Sequence, residues 1–202
     1  MNLLNKIKSF YNKYTDILRP MFVLTIICLV TAAALSVTNM LTATRIENLA
    51  NQNKNREMSA LLPAQNYREV AVSNKNSQLF LAQDESNFVG YVVTASAKGY
   101  GGDINIMAAI NPDKKIIGVS ILSAADETPG LGANVTKPEF YSQFAGLSAN
   151  ITAIKNTANP ANNEIKTVTG ATISSKAVTK AVNQALQIVE EYEKSLNTEG
   201  VQ

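Results

Sequence analysis

The chemistry-bearing feature of this chain is a run of seven small and hydroxyl-bearing residues, Thr-Gly-Ala-Thr-Ile-Ser-Ser at 169–175, which we call the heptad. It opens directly into the pattern of a long amphipathic helix. Small residues at a helix start let backbone N–H groups approach an anion, and the helix dipole favours negative charge there. The heptad therefore predicts an anion-binding helix start. The alternative is that Thr169 or Ser174 simply caps the helix, as Thr and Ser do routinely.

A second segment, Glu-Thr-Pro-Gly-Leu-Gly at 127–132, has the composition of a sharp, exposed turn. Thr128 precedes a proline, which favours extended backbone, and Pro129–Gly130 suits the centre of a type II turn, where the second residue has positive φ. Such a turn would present Leu131 and free the backbone amides beside it. A generic loop is the alternative. The last two glycines of Gly-Tyr-Gly-Gly at 99–102 would permit a similarly close approach of backbone to a ligand.

The residues that the chain lacks exclude several kinds of site. Its 202 residues contain no His, and the single Cys, Cys28, lies within an apolar run. A His-based triad, a general-base His and a Cys or His metal cluster are therefore excluded, so we expect neither a metal site nor catalytic residues. Redox chemistry in this chain would need a bound prosthetic group. No basic stripe follows the first 20 residues, which argues against a nucleic-acid partner.

The apolar run predicts a membrane anchor. Residues 21–44 carry no charge, and at ~1.5 Å per residue they can cross a hydrocarbon core of ~30 Å. Cleavable signal peptides have shorter apolar cores of ~7–15 residues. We therefore predict a cytoplasmic tail at 1–20, a transmembrane helix at 21–44 and a stalk helix at 45–64. A slight excess of basic residues before the span favours a single-pass topology with an extracytoplasmic domain at 65–202.

Several strand patterns follow the stalk. Val89–Ser96 alternates apolar residues, with Val89, Tyr91 and Val93 on one face. Two further apolar segments flank the turn-forming residues 111–115 and predict an antiparallel hairpin. The expected strands are Glu69–Ser73, Val89–Ser96, Ile104–Ile110 and Ile116–Leu122, and a short helix is expected at 138–147.

The final helix gives the clearest periodic signal. Its apolar residues recur at i, i+1, i+4 and i+5, which is the stripe of a helix that covers a sheet. They are Ala177, Val178, Ala181, Val182, Ala185, Leu186 and Val189. The sequence therefore predicts an α+β fold: a single N-terminal transmembrane helix, then an antiparallel-sheet domain with a long C-terminal helix whose start carries the heptad.

The segments at 99–104 and 127–132, the hairpin and the heptad resemble, in order and approximate spacing, the FMN-binding domain of the G subunits of Rnf electron-transport complexes. The related C subunit of Na⁺-translocating NADH:quinone reductase shares them. The resemblance implies covalent FMN, esterified through its phosphate to Thr172, the last Thr of the family's [Ser/Thr]-Gly-Ala-Thr sequence. The other cofactor-binding residues that it implies are Thr169, Gly170, Ala171, Ser174 and Ser175 near the phosphate, and Glu127, Thr128, Pro129, Gly130, Leu131 and Gly132 at the ring.

The implied function is that of a flavoprotein subunit in a bacterial inner membrane, which is not an independent catalyst. It would relay electrons within a ferredoxin:NAD⁺ oxidoreductase that moves Na⁺ or H⁺. The implied partners are the other membrane and flavin subunits and, during maturation, a flavin transferase. Three alternatives stay open: the C-type quinone-reductase subunit, which chain length disfavours, an anchored FMN-domain protein outside an ion pump, and an adaptor without flavin. One departure concerns Lys166, which stands where family members commonly have an acidic residue.

Overall fold

The computed structural model describes residues 3–72, 77–85, 87–148 and 150–199. They form the α+β architecture that the sequence predicts: a long apolar N-terminal helix, a five-stranded antiparallel sheet and a long C-terminal helix. The chain divides into two compact units, Met1–Asn51 and Gln52–Gln202. The first helix, α1 (Leu3–Leu61), makes up the described part of the first unit and contributes its last residues to the second.

Within α1, the helix from Leu18 to Leu61 is long and apolar enough, by length and composition, to cross a membrane. Three of its threonine hydroxyls are paired inside the helix: Thr25, Thr31 and Thr38 each donate to the backbone carbonyl four residues earlier, at 2.8–2.9 Å. A polar group in hydrocarbon needs such an internal partner, because no water is present to replace it. The helix therefore carries these threonines without exposing an unsatisfied hydroxyl.

The second unit is built on a meander of five antiparallel strands in the order β1-β2-β3-β4-β5. The strands are β1 (Asn66–Val70), β2 (Gln78–Asp84), β3 (Asn87–Lys98), β4 (Asp103–Ile110) and β5 (Ile116–Ser123). β4 and β5 pair as the predicted hairpin, with Met107 opposite Ser120. After β5 come a 3-10 turn at Gly132–Thr136, α2 (Pro138–Tyr141) and a second 3-10 turn at Ser142–Phe144.

Both faces of the sheet are covered. α3 (Thr172–Glu199) lies on one face, and all seven residues of its predicted apolar stripe are buried there against β-strand side chains such as Val93 and Ile106. On the other face, Met58 near the end of α1 and Leu62 just after it pack with Phe80 and Met107. Apolar burial on both faces, at ~25 cal/mol per Å², is the main force that holds this unit together.

Three short elements position the start of α3. β6 (Thr152–Ile154) and β7 (Glu164–Lys166) form a two-stranded parallel sheet, with a 3-10 turn at Pro160–Asn162 between them. The Asn183 side chain of α3 accepts from Ile151 N and donates to Ile151 O, at 3.0 and 2.8 Å. β6 is thereby tied to α3, and the chain leaving β7 runs straight into the heptad.

The structure corrects several strand and helix predictions. β1 begins at Asn66 rather than Glu69, and Ser73 lies outside the described residues. β2 was not predicted, because its buried residues Leu79–Ala82 lack the apolar–polar alternation of a half-exposed strand. Val89 packs on the face opposite Tyr91 and Val93, since a register shift at Ala82/Gln83 breaks the alternation. The helix predicted at 138–147 is only α2 followed by a 3-10 turn.

Candidate functional site

The heptad forms a tight loop that leads into α3, and its own serine fixes that loop. Gly170 has φ +78°, a left-handed conformation that favours glycine. Ser175 is fully buried, and its hydroxyl accepts from Val168 N at 3.0 Å and donates to Ala171 O at 2.9 Å. α3 begins at Thr172, so the residue before the helix is Ala171. Neither Thr169 nor Ser174 is therefore the N-cap that the sequence offered as an alternative.

The structure divides the four hydroxyls of the heptad into two classes. Ser174 and Ser175 are buried, and both hydroxyls are hydrogen-bonded within the protein. Thr169 is exposed and Thr172 is half-buried. Within the described part of the chain, no side-chain hydrogen bond involves the hydroxyl of Thr169 or Thr172. Both threonines line a cleft, so they are the two heptad hydroxyls available to an added group.

The segment at 127–132 forms the predicted turn. Leu131 N donates to Thr128 O at 3.1 Å, and Gly130 has φ +77°, which identifies a type II turn with Pro129 and Gly130 at its centre. The Asn134 side chain donates to Gly130 O at 2.6 Å and holds the turn from the following 3-10 helix. The turn thus presents Leu131, which is 46% exposed, toward the heptad. A Cβ on Gly170 would lie 3.0 Å from Leu131 Cδ2, so the two motifs touch.

Glu127 joins three segments of the domain. Its side chain is only 3% exposed, yet both carboxylate oxygens have partners. Oε1 accepts from the backbone N–H groups of Tyr100 and Gly101 at 2.7 and 3.2 Å, and Oε2 accepts from the Ser174 hydroxyl at 2.6 Å. These are charge-assisted hydrogen bonds, which are stronger than those between neutral groups. Both oxygens of the Glu127 carboxylate therefore accept hydrogen bonds from the protein itself.

A cleft of about 740 Å³ lies between the heptad and the turn, within the ~300–1,000 Å³ typical of small-molecule sites. Three large side chains at its border are unusually exposed: Tyr100 at 70%, Ile173 at 54% and Leu131 at 46%. Exposed apolar and aromatic groups around a concave surface are typical of a site that binds a flat apolar ligand. The cleft therefore combines apolar and aromatic side chains with the polar residues of the heptad at the start of α3.

The electrostatics of the cleft favour an anion at one end. Among the described residues that line it, Lys155 is the only cation and Glu127 the only carboxylate. Lys155 directly follows β6 and is exposed, with no acidic partner in the described chain. The first N–H groups of α3 have no carbonyl partner within the helix and carry the positive end of its dipole. A phosphate at the start of α3 would meet these groups.

Nine of the twelve predicted cofactor-binding residues line the cleft: Glu127, Thr128, Leu131, Gly132, Thr169, Gly170, Ala171, Thr172 and Ser174. Pro129, Gly130 and Ser175 do not; they shape the turn and the loop instead. The sequence predicted that the backbone at Gly101 and Gly102 approaches a ligand closely. Neither glycine lines the cleft, and both lie against Asp126 instead.

Sequence reasoning missed five lining residues: Tyr100, Lys155, Thr167, Val168 and Ile173. Thr167 and Lys155 arrive at the cleft because each follows one strand of the parallel pair, and Thr167 N donates to Ile154 O at 2.8 Å. Strands of three residues leave no periodicity to read, so no sequence signal marked Lys155. Lys166 and Lys176 are exposed and lie outside the cleft.

Comparison with known proteins places this geometry in a family. Residues 99–187 match the family model of the FMN-binding domain. The match begins at the Gly99 turn and contains the 127–132 segment, Lys155 and the heptad, so every segment that forms the cleft lies within it. The chain thus contains an FMN-binding domain, and the residues that line the cleft lie within it.

Several curated proteins match most of the chain, among them two G subunits of ferredoxin:NAD(+) oxidoreductase complexes. One is the G subunit of the proton-translocating ferredoxin:NAD(+) oxidoreductase complex of Clostridium ljungdahlii, 38% identical over 168 residues, 82% of this chain and 88% of that protein. The other is the G subunit of the Na(+)-translocating ferredoxin:NAD(+) oxidoreductase complex of Acetobacterium woodii, 32% identical over 85% of this chain and 91% of that protein.

Among solved structures, the C subunit of the Na⁺-translocating NADH-quinone reductase of Parabacteroides distasonis aligns with a TM-score of 0.47. It is 25% identical, over 55% of this chain and 59% of that one. The identity to the curated relatives extends along nearly their whole length and includes the FMN-binding domain. The chain therefore belongs to the family of G subunits of Rnf-type ion-translocating oxidoreductase complexes.

Proposed function

We propose that this chain is the membrane-anchored flavoprotein subunit of a ferredoxin:NAD⁺ oxidoreductase complex coupled to Na⁺ or H⁺ transport, and that it carries FMN on Thr172. The family relationship and the FMN-binding domain support the first part. The second part rests on one observation. Of the heptad's four hydroxyls, only those of Thr169 and Thr172 are without a side-chain hydrogen bond in the described chain, and Thr172 is the one in the first turn of α3.

The residues present fit an FMN group. The first N–H groups of α3 and the left-handed backbone at Gly170 suit its phosphate, and Lys155 is a cation that lines the same cleft. Leu131, Ile173 and Tyr100 supply exposed surface for a planar ring. When bound, FMN supplies reversible one- and two-electron redox chemistry that no side chain of this protein can provide. The protein's own part is to bind, orient and tether the cofactor.

The covalent bond is a phosphoester between Thr172 Oγ and the FMN phosphorus. Its formation transfers the FMN phosphoryl group from a flavin dinucleotide donor. The bond from Oγ to phosphorus forms, the phosphoanhydride bond of the donor breaks, a nucleoside monophosphate leaves and the hydroxyl proton passes to water, so no electron transfer is involved. A flavin transferase would catalyse this step. Lys166 is exposed three residues before Thr169, where an enzyme approaching the heptad would meet it. This chain has Lys166 where family members commonly have an acidic residue, so its flavin transferase must accept a cation at that position.

The location that we propose is a bacterial cell membrane, crossed once, with the FMN-binding domain on the extracytoplasmic side. The apolar helix near the N-terminus supports the anchor, and the four basic residues before it support the orientation. A covalent tether suits a cofactor outside the cytoplasm, since a lost flavin could not be replaced from the cytoplasmic pool. The partners are the other membrane and flavin subunits of the complex.

The attachment is tested by producing the full chain together with a flavin transferase and separating it on a denaturing gel under ultraviolet light. We expect a fluorescent band for the wild type and for Thr169→Ser, which keeps the first hydroxyl of the motif, and a dark band for Thr172→Val. Mass spectrometry of the tryptic peptide spanning residues 167–176 then reports the adduct and its position. A dark wild-type band, or fluorescence that survives Thr172→Val, would contradict the proposal.

Orientation and partnership need separate measurements. Asp113 lies in the exposed β4–β5 turn, so Asp113→Cys in a Cys28→Ala chain should react with a membrane-impermeant maleimide in intact cells. Labelling only after cell lysis would reverse the proposed topology.

An anchored flavoprotein outside any ion pump is the competing function. It predicts that the tagged protein purifies without other membrane subunits, whereas we expect it to co-purify with them.

A further inference from the structure

The Glu127 side chain is more deeply buried than any other acidic side chain that the structure describes, and it faces the cleft without being free to bind a ligand. Its two oxygens have three protein donors, from Tyr100, Gly101 and Ser174. These donors lie 26–47 residues away in sequence. A buried carboxylate with this many partners is a structural junction, because a missing partner would leave a costly unsatisfied charge.

The surrounding glycines are fitted to this carboxylate. A Cβ on Gly99 would overlap Glu127 Oε1, and a Cβ on Gly132 would overlap Oε2. A Cβ on Gly101 would overlap the carbonyl oxygen of Asp126, the residue before Glu127. The glycines of two motifs thus make room for Glu127 and its backbone, and the space they leave is already filled.

The third partner of Glu127 is Ser174, which lies at the start of α3 close to Thr172, the residue to which we propose that FMN is attached. Ser174 is two residues after Thr172 in the first turn of α3, and its hydroxyl donates to Glu127 Oε2 at 2.6 Å. This hydrogen bond adds to the two made by the Ser175 hydroxyl and restrains the rotation of the first turn from the side of the cleft. The orientation of Thr172 toward the cleft therefore depends on Glu127, although the two residues share no hydrogen bond.

We infer that Glu127 is a positioning residue: through Ser174 it holds the Thr172 hydroxyl in the cleft, and it binds no part of the cofactor. The inference rests on the proposed attachment of FMN to Thr172, and it revises the sequence expectation that Glu127 contacts the ring. The turn at 99–102 also has a role in this arrangement: its N–H groups at Tyr100 and Gly101 hold one oxygen of the Glu127 carboxylate, while the other oxygen holds Ser174.

The test uses the full chain in detergent, as the wild type, Glu127→Ala, Glu127→Gln and Ser174→Ala. Asp113→Asn, an exposed acidic residue in the β4–β5 turn, is the matched control. Hydrogen exchange of peptides containing Tyr100 and Gly101 is measured on protein made without a flavin transferase. The rate at which FMN is attached is measured with the transferase by intact mass.

We expect Glu127→Ala to speed exchange at Tyr100 and Gly101 and to slow FMN attachment by about ten- to a hundredfold, the usual cost of a misplaced reacting group. Glu127→Gln should restore protected amides and most of the rate. Its amide oxygen still accepts from both N–H groups, and its NH2 group can donate to the Ser174 hydroxyl oxygen, so the link to the first turn of α3 is kept with its direction reversed. Ser174→Ala should slow attachment while leaving those amides protected, since they bond to the other oxygen. Asp113→Asn should match the wild type in both measurements.

Two results would overturn the inference alone: attachment at the wild-type rate in both Glu127→Ala and Ser174→Ala, or a Glu127→Gln chain with protected amides that attaches FMN no faster than Glu127→Ala. The second would mean that the carboxylate acts directly on the cofactor or the reaction. If Glu127→Ala does not fold, Glu127→Gln and Ser174→Ala decide the matter. A wild-type chain that acquires no FMN would instead overturn the proposed function, and this inference with it.

Discussion

Gly132 allows a quantitative test of how closely the protein encloses the Glu127 carboxylate. A Cβ at this position would overlap Glu127 Oε2 and lie 2.9 Å from Ser174 Oγ. Forcing an extra methyl group into a filled site costs about 1–3 kcal/mol. In a chain of this size ~1 kcal/mol lowers Tm by about 2–4 °C. We therefore expect Gly132→Ala to lower Tm by about 2–12 °C.

The same substitution should be milder once the carboxylate is gone. Glu127→Ala removes the oxygen that the new methyl group would meet, and it frees the Ser174 hydroxyl to rotate because its acceptor is lost. In that background we expect Gly132→Ala to cost less than about 1 kcal/mol. The two substitutions should therefore show an interaction energy of about 1–2 kcal/mol, within the range of ~0.5–3 kcal/mol for residues in contact.

The assay is thermal unfolding of the four chains of this double-mutant cycle, followed by circular dichroism in one detergent and without bound flavin. Gly130→Ala is the matched control in the same turn. Gly130 has φ +77°, and a Cβ there would meet no atom within 4 Å. It should cost about 1–2 kcal/mol from backbone strain alone and add to Glu127→Ala without coupling. Additivity of Gly132→Ala with Glu127→Ala would refute the enclosure.

Three further predictions concern other parts of the domain. Burial and the hydrogen bond to Glu193 raise the pKa of Tyr91. The stability this gives is complete below pH ~10, the ordinary tyrosine value, and is lost as pH rises above it. Tyr91→Phe should therefore flatten the fall of Tm above pH ~10, and an unchanged slope would contradict this. Met58→Ala should cost about 2–5 kcal/mol, whereas Met40→Ala, at an 82% exposed residue, should leave Tm unchanged; equal Tm values for the two variants would show that the end of α1 does not cover the sheet. Lys155→Gln should lower the midpoint potential of bound flavin in a spectroelectrochemical titration, because a nearby cation favours the more negative reduced form, and Lys155→Arg should preserve it; equal potentials in all three chains would rule out this electrostatic role.

Features that depend on neighbouring residues were readable from the sequence. The apolar stripe of α3 follows the helical repeat, and the β4–β5 hairpin follows two apolar segments around a turn. Pro129–Gly130 has the type II geometry because proline and glycine prefer those dihedral angles whatever surrounds them. β2 escaped prediction for the opposite reason: both its faces are buried, so packing by distant elements removed the alternation that marks a strand.

The sequence by itself determined that this chain has an apolar anchor, a sheet covered by a helix, and a hydroxyl-rich loop at that helix's start. Only the tertiary structure decided which hydroxyls are used. Ser174 is engaged because Glu127, 47 residues away, reaches it, whereas Thr172 stays without such a partner in the described chain. Lys155 likewise reaches the cleft only through the pairing of β6 with β7. Hydrogen bonds and burial depend on distance in space, which local preferences along the chain do not encode.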